Sequence, residues 1–199
     1  MITKKISRRG RPRKFDIDEG LVIAQQLFHE RGFDGVGVAE LSKKMGITAP
    51  SLYSAFGSKR ELFEDVLKKY VAENGWMVAI MQNGGSVKEM IARLFQRASE
   101  VYTADNRQRG CLVLDGTRNS TDEKACELSA KFRQGTWQML SDLIAADFPA
   151  QAPTLASYVM TILMGLSAAA RDGRSQTELE GIGEIAAAGF SAYLERTIE

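Results

Sequence analysis

Five helix start signals recur along the chain, and they constrain its fold more than any other feature. Each is a short polar residue followed three positions later by Glu, a spacing at which both side chains can satisfy backbone N–H groups at a helix N-terminus. Each precedes an apolar segment with helical periodicity, and no stretch of useful length alternates as a strand does. The sequence therefore predicts an all-α fold. The five pairs are Asp16/Glu19, Ser58/Glu61, Ser86/Glu89, Ser120/Glu123 and Ser175/Glu178.

Glycine and proline mark where these segments stop, and no internal repeat is present. Together the start and stop signals predict about nine helices. The predicted helices span residues 15–31, 38–44, 48–54, 58–82, 86–104, 107–116, 121–147, 152–172 and 176–197.

Composition excludes several classes of protein. No apolar run approaches the roughly 20 residues that span a bilayer, and the N-terminus lacks the apolar region of a secretory signal. The two cysteines, Cys111 and Cys126, are too few for a disulfide scaffold. We therefore expect a cytoplasmic protein without a membrane partner, in a reducing compartment.

Charge is distributed unevenly along a chain whose net charge is only +1. Residues 1–70 hold 14 Lys and Arg against 9 Asp and Glu, whereas the remainder holds 12 against 16. Seven basic residues and no acidic ones fall within residues 1–14. Such an arm indicates a polyanionic partner, although a solubilising tail has the same composition.

The stretch around residue 46 predicts a helix-turn-helix. Gly46 follows a short apolar helix at the point where the chain must turn, and glycine accepts a left-handed backbone without steric cost. Ile47 can plug the turn, Thr48 can cap the next helix, and Pro50 suits its first turn. Two short helices joined by a tight glycine turn form a helix-turn-helix, although a plain helical hairpin shares this pattern.

The second of these helices has the properties of a DNA-reading element. Its small residues lie away from its apolar face and would let it enter a major groove. Its capped N-terminus would direct N–H groups at phosphate, Tyr53 could give its hydroxyl to a phosphate, and Lys59 could reach the backbone. The candidate DNA contacts on this unit are Thr48, Ala49, Pro50, Ser51, Tyr53, Ser54 and Lys59.

Residues 33–63 resemble the DNA-binding domain of the TetR family of bacterial transcriptional regulators. The resemblance covers about residues 15–65 and implies a homodimer with a C-terminal domain, residues 66–199, that binds a small-molecule effector and dimerises. The motifs that carry it are Gly46-Ile47, Leu52-Tyr53, Phe56, and Ser58-Lys59 with Leu62.

Two departures from the family pattern are visible. The family usually has Thr or Ser just before the second helix, where this chain has Val36-Gly37, so a phosphate contact there is in doubt. Ala49-Pro50 offers few hydrogen bonds, so we expect base reading through thymine methyl groups and through serines.

The basic arm, residues 1–14, contains an Arg-Gly-Arg-Pro segment that resembles an AT-hook core and also precedes the first helix in many family members. An extended segment of this kind fits a narrow minor groove. We expect Arg11 and Arg13 to approach DNA, as helpers at phosphate or the minor groove.

The last two predicted helices are candidates for a dimer interface. Both are apolar over wide arcs, and small residues at 186–189 permit close helix approach. Two copies would pair in a four-helix interface and place two reading helices about 34–36 Å apart on a palindrome; an ordinary monomer core is the alternative. The candidate interface residues are Leu163, Leu166, Leu179, Ile182, Ile185, Ala186, Gly189 and Phe190.

A ligand pocket is predicted among the helices of the C-terminal domain, where Met and aromatic residues accumulate. Such residues line adaptable pockets but also fill ordinary cores. Arg97 or Arg118 could hold an anionic ligand, or both could be solvated. The candidate pocket residues are Phe95, Tyr102, Cys111, Trp137, Met139, Met160 and Met164.

Cys111 follows Arg109-Gly110 near a predicted helix start, where the pKa of a thiol can fall. This suggests a redox or electrophile sensor with Cys126 as resolving partner, against the alternative of an inert buried thiol.

Catalysis is not expected. The single histidine, His29, is expected at the surface of the first helix, and the sequence contains no metalloprotease, phosphate-loop or nucleophile-elbow spacing. No metal site or cofactor is predicted. The prediction is a sequence-specific DNA-binding transcriptional regulator that acts as a ligand-released repressor. An architectural DNA-binding protein without a ligand response is the alternative.

Overall fold

The computed structural model describes residues 15–198, with side chains up to residue 196, and confirms the predicted all-α fold. Arg11 and Arg13 lie outside the described residues. Between residues 15 and 198, ten helices follow one another in chain order. They are α1 (Ile17–Arg31), α2 (Val38–Met45), α3 (Ala49–Phe56), α4 (Lys59–Glu73), α5 (Trp76–Gln82), α6 (Val87–Thr103), α7 (Leu112–Asp115), α8 (Glu123–Ala145), α9 (Ala152–Arg171) and α10 (Gln176–Ile198).

Four of the five predicted start signals cap helices in the structure. Asp16, Ser58 and Ser86 are N-caps whose side chains accept backbone N–H groups, and Ser175 does the same for Glu178. The prediction at Ser120 was wrong. Asp122 caps α8 instead, because the Ser120 hydroxyl donates to Asp34 at 3.0 Å.

The helix predicted over residues 58–82 is two helices, α4 and α5. Asn74 ends α4, and both its backbone N–H and its side-chain amide donate to the Tyr70 carbonyl. A side chain that bonds its own helix end competes with helix continuation. The helix predicted over residues 107–116 is also shorter, since Gly110 has φ +81° and only α7 is helical there.

Two hydrophobic clusters organise the described residues. One is built mainly from α1 to α4, with Leu112 and Val113 of α7 and Ala125 of α8; the other is built from α6, α8, α9 and α10. The boundary predicted at residue 65 therefore falls inside α4, and α7 and α8 contribute to both clusters. The two parts of the protein pack directly against each other and are not separated by a linker.

Among the described residues, α9 is the one helix long and apolar enough to cross a bilayer, contrary to the expectation that no such run exists. However, 44% of its most apolar 18-residue window is buried inside the protein. Burial of this kind is typical of the core helix of a soluble protein.

His29 is buried, so the expectation of a surface position was wrong. It lies near the end of α1, where its Nε2 is 3.2 Å from the Gly110 carbonyl, and its ring meets the Tyr70 ring edge-on. A carbonyl can only accept, so Nε2 carries a proton and donates. Burial lowers the pKa of His29 to about 4, so the imidazole is neutral and joins α1 to the segment before α7.

We expect this buried imidazole to make folding sensitive to mild acid. The unfolded side chain takes up a proton near its ordinary pKa of 6.5, whereas the folded one does so only near 4. Stability is therefore complete above about pH 6.5 and falls as the pH drops toward 4. Urea unfolding should show a loss of about 2 kcal/mol between about pH 7.5 and pH 5.

The matched variant is His29→Gln, which keeps an N–H donor for the Gly110 carbonyl but does not titrate. His29 is the only histidine of the chain, so no other group has an ordinary pKa near 6.5 apart from the chain's amino terminus. The variant should lose most of the pH dependence in this range. Equal losses in both proteins would contradict the assignment.

Candidate nucleic-acid interface and adjoining cavity

The turn between α2 and α3 has the geometry of a helix-turn-helix. Gly46 ends α2 in the left-handed conformation, with φ 69° and ψ 25°. Its N–H bonds to Lys43 and the next N–H, of Ile47, bonds to Ser42 at 3.0 Å, so the last carbonyls of α2 are satisfied. The Thr48 side chain then caps α3 by accepting the Ser51 N–H at 3.3 Å.

One face of α3 is anchored and the other is open to solvent. Leu52 and Phe56 are buried in the first cluster, and a T-shaped contact of Phe56 with Phe15 adds to the anchor. Tyr53 is 50% exposed. The remaining candidate DNA contacts of α3 and its cap are exposed, except Ala49, which is partly buried; these residues are Thr48, Ala49, Pro50, Ser51 and Ser54.

Lys59, the remaining candidate contact, is held against the protein. Its ammonium group lies 4.0 Å from the centroid of the Phe33 ring. Burial lowers its pKa, and the carboxylates of Asp34 and Asp122 partly oppose this. A cation over an aromatic face is stabilised, so Lys59 would have to leave this contact to reach a distant phosphate.

A set of polar contacts joins the helix-turn-helix unit to the start of α8. Asp34 accepts from the Ser120 hydroxyl and from the Thr121 N–H, each at 3.0 Å. Arg60, in the first turn of α4, donates through Nε to both carboxylate oxygens of Asp122 at 2.9 Å. Because Asp122 also caps α8, this ion pair ties the beginnings of α4 and α8 together.

Arg171 makes a second joint, at the C-terminal end of α1. It stands at the end of α9, and its guanidinium donates to the carbonyls of His29 at 3.0 Å, Arg109 at 3.2 Å and Glu30 at 3.4 Å. The carbonyls at the end of α1 lack partners within their helix, so a cation there is doubly favoured.

A cavity of about 440 Å³ opens beside these joints. Its size is within the range of small-molecule sites, and its wall is largely apolar. The end of α4, the start of α5, and α8 contribute most of the wall. Four of the predicted pocket residues line it, namely Tyr102, Cys111, Met139 and Met160.

Three predicted pocket residues lie elsewhere, and we do not assign them to the cavity. Phe95 is fully buried in the second cluster. Trp137 points to the other side of α8 and donates to the Ser157 hydroxyl at 3.0 Å. Met164 is exposed. Each satisfied the compositional signal of a pocket, but helical periodicity could not say which face of a helix meets the cavity.

The two arginines considered for an anionic ligand are paired with carboxylates. Arg97 contacts Glu100 at 2.5 Å, and Arg118 contacts the buried Asp115 at 2.8 Å. Neither lines the cavity.

Sequence reasoning missed the wall formed by α4 and α5. Tyr70, Val71 and Trp76 line the cavity, whereas the sequence predicted one continuous helix over residues 58–82. The pair Asn74-Gly75 could have revealed it, because asparagine and glycine both favour a helix end. A second helix then begins at Trp76. Leu163, expected at the dimer interface, also lines the cavity.

Cys111 has the opposite electrostatics to those predicted. Burial raises the pKa of its thiol, so the reactive thiolate is disfavoured. Its side chain takes a hydrogen bond from the Tyr70 hydroxyl, and its N–H donates to Ser167 at 2.7 Å. The expected lowering of the pKa was wrong, because the helix that follows has only four residues and burial disfavours the thiolate.

The candidate dimer residues divide into two groups. Five are buried within the single chain and serve its core: Leu163, Leu166, Leu179, Ala186 and Phe190. Ile182, Ile185 and Gly189 are exposed, and Ile185 is 76% exposed. These three, with Tyr193, fall on one side of α10, and they define what we call the α10 face.

Comparison with known proteins places the chain in a family. The family model described as bacterial regulatory proteins, tetR family, matches residues 21–66. The HTH-type transcriptional repressor BdcR of Escherichia coli K12 is 36% identical over 98% of this chain and 100% of its own length. The chain belongs to the TetR family. The resemblance read from the turn and recognition helix is thereby confirmed.

Solved structures agree with the TetR fold. A cysteine mutant of the TetR regulator CifR, in complex with 26-bp operator DNA, has a TM-score of 0.82 at 30% identity, over 90% of this chain and 98% of that one. The reduced form of E. coli NemR has a TM-score of 0.71 over 87% and 93%, and at 23% identity it supports the fold alone.

This TetR member begins α2 without a polar cap. Gly37 is the N-cap and offers no side-chain hydrogen bond, while Val36 is fully buried in the first cluster. The side chains of these two residues therefore present no donor to a phosphate, as the sequence suggested.

The turn should tolerate a methyl group poorly for conformational reasons alone. A Cβ at Gly46 would meet nothing within 4 Å, and the same holds for Gly135 inside α8. The two glycines differ in φ, which is +69° at Gly46. Gly46→Ala should therefore destabilise folding by about 1 kcal/mol, and Gly135→Ala should stabilise it by up to about 1 kcal/mol. Urea unfolding of both variants measures the contrast; equal effects would refute it.

Proposed function

We propose that this protein is a cytoplasmic, homodimeric transcriptional repressor that binds a palindromic operator and is released by a small-molecule effector. The observation that carries the proposal is the anchored α3 with its small, exposed outer face beside a ligand-sized cavity. Relatives support it, since BdcR is described as a repressor and the CifR mutant was solved with operator DNA. This is a binding role and requires no catalysis.

The defining experiment measures binding to duplexes from the intergenic DNA beside the protein's own gene. Fluorescence anisotropy at two salt concentrations would compare each with a scrambled duplex. A specific regulator should prefer its site by roughly a thousandfold. Equal and steeply salt-dependent binding to both would instead favour the architectural alternative.

The DNA contacts follow from the exposure of α3. Its outer face would enter the major groove, with the apolar side chains of Ala49 and Pro50 against thymine methyl groups and the hydroxyls of Ser51 and Ser54 available to base edges. The α3 N-terminus and Tyr53 would meet phosphates. Arg11, Arg13 and, after leaving Phe33, Lys59 would add backbone contacts.

Tyr53 offers a test of the phosphate contact on the duplex identified above. Tyr53→Phe removes only the hydroxyl, and loss of a hydrogen bond to a charged group of about 1.5 kcal/mol corresponds to roughly a tenfold weaker affinity. Tyr53→Ala should weaken binding further. Neither should lower stability much, because the side chain is half exposed.

The outcome against this assignment is a Tyr53→Phe variant with unchanged affinity. Salt dependence supplies a second readout. Removing a neutral phosphate contact should leave the slope of affinity against salt nearly unchanged, whereas a variant in the basic arm should reduce it.

A dimer is proposed through the α10 face. The family resemblance points to the two last helices, and the buried candidates leave Ile182, Ile185 and Gly189 as the accessible ones. Exposed isoleucines on one helix side are costly to leave in water, and a glycine beside them permits close approach of a second copy. A two-fold pair would present two α3 helices to successive major grooves.

The α10 face can be tested with one charge. Ile185→Asp should convert the dimer to a monomer, because a buried, unpaired carboxylate opposes association. The matched control is Ile17→Asp, another exposed isoleucine, at the start of α1. Sedimentation equilibrium would read the mass of each. A dimeric Ile185→Asp protein, or a monomeric control, would contradict the assignment.

Effector release needs a link between the cavity and α3. α4 supplies it, since its first turn follows α3 directly and its last residues, Tyr70 and Val71, line the cavity. α8 supplies a second link through Asp122 and Arg60. A ligand that favours another spacing of the two units by a few kcal/mol would release DNA.

Sensing through Cys111 remains a second candidate, suggested by its place in the cavity wall. The raised pKa of the thiol weighs against it. Oxidant treatment of wild type and Cys111→Ser decides the matter: sensing requires that only the wild type lose DNA affinity.

A further inference from the structure

Tyr102 is a buried polar group that the fold leaves without a partner. It lies on α6, is 3% exposed and lines the cavity. No hydrogen bond of its hydroxyl is found within the part of the chain that the structure describes. The hydroxyl is not among the fully enclosed polar atoms that lack a partner in the described residues, so it is open to the cavity, and its hydrogen-bond partner has to come from there.

The neighbouring polar groups already have hydrogen-bond partners within the protein, so they are not available to a ligand. The Tyr70 hydroxyl is engaged with the Cys111 side chain and with the Leu112 backbone. Ser167 bonds to Asp115 and takes the Cys111 N–H. Among the buried side chains of the cavity wall, Tyr102 therefore keeps a hydroxyl that no protein group engages.

The surroundings disfavour negative charge. Burial raises the pKa values of Tyr70, Tyr102 and Cys111, and the negative charge of Asp115 adds to the effect at each of them. A ligand carboxylate beside Tyr102 would meet the same desolvation and the same repulsion. An acceptor at this position is favoured when it is uncharged.

Most of the rest of the wall is apolar, with side chains such as Val113, Leu114, Phe132 and Met160 that offer contact area without hydrogen bonds. The charged residues that also line the cavity are accessible to solvent, since Lys68 and Lys131 are exposed and Glu64 pairs with Lys68 at 3.1 Å. The ligand body must therefore be apolar to gain from burial.

We propose that the cavity binds an uncharged, largely apolar small molecule that carries a single carbonyl-type oxygen, which accepts a hydrogen bond from the Tyr102 hydroxyl. The inference rests on the proposed function only in taking this cavity as the effector site. It adds the chemical class of the effector and the residue that selects it.

The test uses three probes of one shape: 2-acetylnaphthalene, 2-ethylnaphthalene and 2-naphthoate. They place a ketone, a hydrocarbon or a carboxylate on the same ring system. Equilibrium dialysis against the full-length protein, read by naphthalene absorbance, gives the affinity for each. The ketone should bind tightest and the carboxylate weakest.

Tyr102→Phe then removes the hydroxyl donor and leaves the rest of the side chain unchanged. It should weaken ketone binding about fivefold and leave the hydrocarbon unchanged. Tyr53→Phe, a tyrosine outside the cavity, is the matched control and should change neither. Tightest binding by the carboxylate, or equal losses for ketone and hydrocarbon, would overturn the inference.

Gly135→Leu provides a second variant that removes no contact. Gly135 lines the cavity, and a Cβ there meets open space, so a leucine should fill the cavity and weaken all bound probes at least tenfold. Binding that survives this change, or no binding of any probe to wild type, would also overturn the inference.

Operator binding by the same samples separates this inference from the proposed function. If the Tyr102→Phe and Gly135→Leu variants bind operator as wild type does and the probe results fail, the effector class is wrong and the regulator stands. If wild type binds no operator, the proposed function fails on its own.

Discussion

Arg171 holds the arrangement on which the rest of the structure depends. Its guanidinium gathers the last carbonyls of α1 and the Arg109 carbonyl into one site, and α1 in turn packs against α4. Because α9 ends at this residue, the core of the C-terminal part is tied to the helix-turn-helix unit at a charged, partly buried point. The two parts of the protein therefore share a direct contact at this residue.

The second joint has a different character. Asp34 and Arg60 are polar side chains at the surface that meet the start of α8, and exposed ion pairs contribute little to stability. The Arg171 joint, by contrast, is partly buried and satisfies carbonyls at the end of α1, so the two joints differ in how far they are shielded from water.

The elements that local rules govern were predictable from the sequence. Caps at Asp16, Ser58 and Ser86 and the turn at Gly46 depend on neighbouring residues, and the structure reproduces them. What failed depended on tertiary contact. Ser120 was drawn away by Asp34, His29 was buried by the segment around Gly110, and Cys111 was desolvated by helices distant in sequence. Periodicity also could not separate core positions such as Phe190 from the exposed Ile185 on the same helix.

The composition of the cavity wall has a consequence for how such a protein changes over evolutionary time. α4 and α8 contribute to the DNA-binding core, so substitutions on them risk the fold. α5 has no buried residue, yet its Trp76, Met77 and Val78 line the cavity. Positions that are exposed or only partly buried cost less to replace than core positions. Over evolutionary time, substitutions on α5 can therefore change the lining of the cavity at less cost to the fold than substitutions on α4 or α8.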